Sequence, residues 1–123
     1  MLDSVLTGGT YLTKPADKEI SIRHLLTHTP GIGYGVIDGN ARIKKIYKDA
    51  GIINLFTTKK ITIAANIKKF AALPLHHNPG EKFTYSESYD VLGYFIEIVS
   101  GMPFDTYLIT SPPTVGMLLK TVK

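Results

Sequence analysis

A phenol, a hydroxyl and a carboxyl stand in consecutive positions at Tyr85, Ser86 and Glu87, just ahead of the amphipathic run Val91-Leu92-Gly93-Tyr94-Phe95-Ile96. A phenol has an ordinary pKa of about 10 and stays protonated at neutral pH unless a nearby cation lowers it. Histidines offer a second chemistry. His24 and His28 have the i, i+4 spacing of metal ligands, and His76-His77 could supply a third imidazole. The zinc-protease form, however, needs Glu directly after the first histidine, where Leu25 stands, and Pro30 cuts the helix off close to His28. No metal site is expected. Gly31, Gly33 and Gly35 alternate as in a phosphate loop, but they follow a helical segment instead of linking a strand to one, so a mobile turn is the better reading.

Four stretches carry a resemblance: Ile22-Arg23-His24-Leu25-Leu26-Thr27-His28-Thr29-Pro30-Gly31, Pro79-Gly80, Phe83 to Glu87, and Val91 through Gly101-Met102-Pro103-Phe104. Together they resemble the serine β-lactamase and penicillin-binding-protein-like hydrolases, most closely the class C β-lactamase and esterase branch. The resemblance covers about residues 20–108, within a single partial domain spanning 1–123 whose tail, 109–123, diverges. It implies an acyl-serine route on an ester, a β-lactam or a peptide, without a cofactor. Tyr85 matches the family's catalytic tyrosine, which assists proton transfer. Ser86 matches the variable position after it, and Glu87 stands where an asparagine that binds substrate is typical. A carboxylate cannot donate the hydrogen bond that an amide offers. Under this resemblance His28 shapes a turn beside the active-site wall through structural hydrogen bonds.

The family's nucleophile is a serine followed three residues later by lysine, and its site is closed by a Lys-Thr-Gly-type strand. The serines at 4, 21, 86, 88, 100 and 111 are followed at that spacing by Thr7, His24, Tyr89, Val91, Pro103 and Thr114. None has its lysine. Thr57 and Lys60 share the spacing by chance in a polar connector, and Lys120-Thr121 is followed by Val122. The expected fold is therefore mainly α, a helical subdomain fragment of the α/β serine β-lactamase-like fold, inactive alone. The rival reading is a non-catalytic helical binding or scaffold module.

Composition narrows the partners. Hydrophobic residues make up 44% of the 123 and charged ones 20%, which suits a globular chain. The net charge of +4 is spread over Lys44, Lys45, Lys48, Lys59, Lys60, Lys68 and Lys69 and the terminal Lys120 and Lys123, not gathered on an arginine-rich face, so nucleic acid is not an expected partner. Cysteine is absent, which excludes disulfides and thiolate metal sites. No stretch approaches the roughly 18 apolar residues that span a bilayer, and the chain as given reads as soluble.

Apolar stripes of period 3.6 predict helices near 21–28, 41–50, 63–72 and 88–100, with one more short turn from Pro103 through Tyr107 and Leu108. Ser21 and Thr62 are expected caps. Residues 7–10 and 13–15 read as loop, and hairpins should be scarce. The expected buried stripes are Ile43, Ile46 and Tyr47; Ile63, Ile67, Phe70 and Ala71; and Val91, Leu92, Phe95, Ile96 and Val99. If the sheet of such a fold is absent, part of the last stripe lacks partners and could drive self-association.

Overall fold

The computed structural model describes residues 1–5, 10–53, 58 and 60–110. Thr57, Ser111 and Lys120 to Val122 lie outside the described residues. The described chain is mostly helical, with one two-stranded sheet.

Strands β1 (Leu2–Val5) and β2 (Tyr11–Thr13) pair antiparallel, with Leu2 opposite Thr13 and Val5 opposite Tyr11. Thr13 is thus strand and not loop. Three residues are too few to display alternation, and tertiary contact decides the matter: the Leu2 amide donates to Leu75 O at 2.7 Å, and the Lys14 amide to Met1 O at 3.0 Å. The first of these ties the hairpin to the segment that leads into the candidate site.

Helix α1 (Ile22–Leu26) opens with a reciprocal cap. Ser21 Oγ accepts from the His24 amide at 3.3 Å, and His24 Nδ1 accepts from the Ser21 amide at 3.1 Å, an imidazole taking the place of the usual Glu or Gln. The helix stops two residues short of the expected end. His28 sits at φ 51°, in the left-handed region, so the backbone has already left the helix before Pro30 is reached.

Helix α2 (Ala41–Asp49) is capped by Asn40, whose Oδ1 accepts from the amides of Arg42 and Ile43. Its apolar face, Ile43, Ile46 and Tyr47, is buried as expected and forms the centre of the core with Leu25, Ile32, Ile52 and Phe70. Helix α3 (Ile63–Phe70) is capped by Thr62, as its hydroxyl position suggests. Phe70 alone of its stripe is buried; Ile63 and Ile67 are half-buried and Ala71 is exposed.

Helix α4 (Ser88–Ser100) ends at Gly101, whose φ of 71° lets its amide reach Glu97 O at 3.0 Å. Its buried residues are Ser88 and Gly93. Val91 and Leu92 pack partly against the core, whereas Phe95 and Val99 are 41% and 69% exposed. The stripe expected to face a core is half uncovered, because period 3.6 shows which face is apolar and not what lies against it. Helix α5 (Phe104–Thr110) folds back on α4. Its first amide donates to Glu97 Oε1 at 3.0 Å, and the Phe104 ring lies over Gly93.

Candidate functional site

Two irregular segments, 28–33 and 76–87, run alongside each other and are stitched by main-chain hydrogen bonds. The amides of Thr84, Gly80, His76 and Glu87 donate to the carbonyls of His28, Thr29, Gly31 and Gly33, at 2.8, 2.7, 2.7 and 3.4 Å. Glycine is required at 31 twice over: φ is 84°, and a Cβ there would sit 2.4 Å from His77 O. This seam delivers residues 83–87 to the start of α4.

Tyr85 projects from the seam half-exposed, at 50%. Its ring stacks on the buried imidazole of His28, with centroids 4.8 Å apart and planes 26° from parallel. Phe83 and Tyr89 meet the same imidazole edge-on, at 5.7 and 4.8 Å, and both are largely exposed. The Tyr34 ring lies 5.8 Å from that of Tyr85.

Ser86 and Glu87 turn inward, 4% and 3% exposed. The Ser86 amide donates to His28 Nδ1 at 3.3 Å; its Oγ approaches the same nitrogen at 3.3 Å and hydrogen-bonds to Ser88 Oγ. Glu87 is buried with Oε1 unpaired among the described residues. Burial, and next the Asp90 carboxyl beside it, push its pKa up to about 9. At neutral pH Glu87 is therefore a neutral acid. A protonated carboxyl can donate, so the objection that glutamate lacks a donor applies only to its ionised form.

Beneath the seam lies a polar cluster. Tyr47 Oη accepts from the Gly33 amide at 3.0 Å, and burial pushes the phenol up to about 12, so it stays protonated. His76 Nε2 lies 3.0 Å from Asp38 Oδ2, both side chains buried, without the alignment of a good hydrogen bond. Burial lowers the His76 pKa against the opposing pull of Asp38. Gly33 sits over this pair: a Cβ there would meet both atoms at 2.3 Å.

The four histidines serve separate purposes. His24 caps α1, His28 carries the Tyr85 stack, His76 faces Asp38, and His77 braces the turn through Asn78 O and Thr84 Oγ1, each at 2.8 Å. Among the described residues no group of three His, Cys, Asp or Glu is placed to hold a metal. Neither does any lysine among them hydrogen-bond to the Tyr85 hydroxyl.

Tyr85, Ser86 and Glu87, the site residues expected from the sequence, lie just before α4, the first half-exposed and the other two buried. Sequence reasoning gave no role to Asp38, and it placed Tyr47 in the core without foreseeing that its hydroxyl braces the glycine loop. Neither signal is local, since each depends on chain 14 to 38 residues away.

Residues 2–112 match the family model described as Beta-lactamase. An esterase of Burkholderia gladioli, EstB, is 34% identical over 84 residues, covering 68% of this chain and 21% of its own length. A protein of Salmonella paratyphi B described as a putative D-alanyl-D-alanine carboxypeptidase is 41% identical over 58 residues, covering 46% and 13%. Among solved structures, EstCE1, described as a hydrolase with promiscuous acyltransferase activity, superposes with a TM-score of 0.62 at 36% identity, covering 69% of this chain and 22% of its own. A mutant simvastatin synthase, LovD, from Aspergillus terreus superposes with a TM-score of 0.60 at 26% identity, covering 87% and 22%. The chain thus spans about a fifth of the length of EstB and of these two structures.

Proposed function

The chain belongs to the beta-lactamase family, and from that premise we propose that it is the helical part of a serine hydrolase of the α/β β-lactamase-like fold. In this reading the whole protein opens an ester or amide through an acyl-serine, and Tyr85 assists proton transfer. The carrying observation is the half-exposed Tyr85 phenol, held at the start of α4 by a main-chain seam and a ring stack. The description of EstB as an esterase favours an ester over a β-lactam or peptide as the substrate. Ser86 and Glu87 belong to the substrate-binding edge in this reading, and their burial favours support of that edge from below over direct contact.

Alone, the chain is inactive in this proposal. An acyl-enzyme route needs a nucleophile activated by a neighbouring base, and no serine in the sequence has a lysine three residues on. The Ser86–His28 contact is no substitute, since both groups are buried beneath Tyr85.

The test is a graft. This chain's residues replace the matched segment of the Burkholderia esterase, and hydrolysis of an activated ester is measured with and without Tyr85→Phe. An active graft that loses roughly 10²–10⁴-fold in Tyr85→Phe supports a proton-transfer role; an active graft indifferent to the substitution refutes it. The isolated chain should show only background hydrolysis of the ester and of a chromogenic β-lactam.

A second reading, a non-catalytic helical module that binds a partner or itself, is favoured by the open face of α4 and α5. Phe95, Ile98, Val99, Leu108 and Ile109 are all exposed there. Concentration-dependent sedimentation of the chain tests it.

A further inference from the structure

We propose that His28 is the positioning residue for Tyr85, fixing the plane and height of its ring by presenting a buried imidazole as a platform whose tautomer is set by the Ser86 amide. The inference rests on the hydrolase reading only for the use made of the phenol; the placement of the ring stands on geometry.

Three features converge on that imidazole. The backbone at His28 adopts φ 51°, uncommon for a residue other than glycine and costing about 1–3 kcal/mol when held there. A turn alone would be better served by glycine, so the side chain must be what makes the position worth its strain. Second, the Ser86 N–H points at His28 Nδ1 at 3.3 Å. A nitrogen that accepts a hydrogen bond carries a lone pair, so in the neutral ring the proton resides on Nε2. That bond ties the imidazole to the residue directly after Tyr85, and the Thr84 amide donates to His28 O at 2.8 Å from the residue directly before it. Tyr85 is therefore bracketed on both sides by bonds to a single residue.

Third, three rings meet this one imidazole: Tyr85 face to face, Phe83 and Tyr89 by their edges. Two edge contacts besides the stack restrict rotation of the imidazole, and a ring stacked on it shares that restriction. Tyr85 is half-exposed while its ring is stacked, the arrangement wanted of a group that must meet a reacting atom at a fixed point.

The test is NMR on the full chain with ring-labelled tyrosine, Tyr85 being assigned by its loss in Tyr85→Phe. In the unaltered chain, cross-relaxation between the His28 and Tyr85 ring protons is expected, with Tyr85 resonances displaced upfield by the imidazole. His28→Asn keeps a side chain that tolerates the left-handed conformation and can accept the Ser86 N–H, but removes the ring. It should return the Tyr85 resonances towards those of free tyrosine while the amide spectrum of α2 stays in place. Absence of the His28–Tyr85 cross-peaks in the unaltered chain, or unchanged Tyr85 resonances in His28→Asn, overturns the proposal. Should the variant fail to fold, the cross-peaks of the unaltered chain decide. An inactive graft would end the hydrolase reading and leave this measurement untouched.

Discussion

Replacing Gly33 with alanine adds a single methyl group, and the structure places it where there is no room. The new Cβ would lie 2.3 Å from Asp38 Oδ2 and 2.3 Å from His76 Nε2, where ordinary contact begins near 3.4 Å. Each atom must retreat by more than 1 Å, the difference between those two distances, and both belong to buried side chains with little slack. Overpacking of this kind costs about 1–3 kcal/mol. Two buried neighbours must give way at once, which puts the figure at the upper end of that range. An expectation of about 3 kcal/mol is a large share of the 5–15 kcal/mol that holds a typical domain together. Gly33 lacks a positive φ, so steric conflict and not backbone conformation carries the cost. Gly39→Ala is the matched control, since nothing lies within 4 Å of its Cβ. Urea unfolding followed by circular dichroism is the assay. With an m-value of about 1.5 kcal/mol/M, Gly33→Ala should lower the midpoint by about 2 M, and Gly39→Ala should leave it unchanged or slightly higher. Equal midpoints for the two variants would refute the argument, because the Asp38–His76 pair would then have space to move.

Ile43 is fully buried at the centre of the core, and Ile43→Ala should cost about 2–5 kcal/mol in the same urea assay. Glu87 binds its proton more tightly folded, with a pKa of about 9, than at its ordinary value of 4.5, so its contribution to stability is complete below about pH 4.5 and is lost as pH rises towards 9. Glu87→Gln should therefore gain on the unaltered chain between pH 5 and 9 in melting experiments across that range; a constant gap would contradict the raised pKa. Phe95 and Val99 are exposed and apolar, so Phe95→Lys with Val99→Lys should shift sedimentation towards monomer without lowering the melting temperature.

What could be read from the chain in advance divides along local and non-local lines. Helix α3 was legible because Thr62 acts on an amide three residues away, and α2 because Ile43, Ile46 and Tyr47 recur at helical spacing. The end of α1 was not, since the left-handed turn at His28 is held by Ser86 and Thr84, more than fifty residues on. The β1–β2 hairpin escaped notice because three residues cannot show a period. Tyr85 was identifiable as the group of interest through its neighbours, whereas the charge state of Glu87 depends on burial that no local pattern encodes. The Asp38–His76 contact joins residues 38 positions apart and left no mark in either segment.

The seam between 28–33 and 76–87 is made of carbonyls and amides, and this frees the residues along it from one another. Thr29 and Lys82 can change identity without disturbing a main-chain bond of the seam, whereas proline at 76, 80, 84 or 87 would delete one of the four donors outright. Variation is thus channelled to the exposed side chains of the seam, while the position of Tyr85 is inherited from the backbone. A border built this way can be re-lined one residue at a time, each intermediate keeping the tyrosine in register.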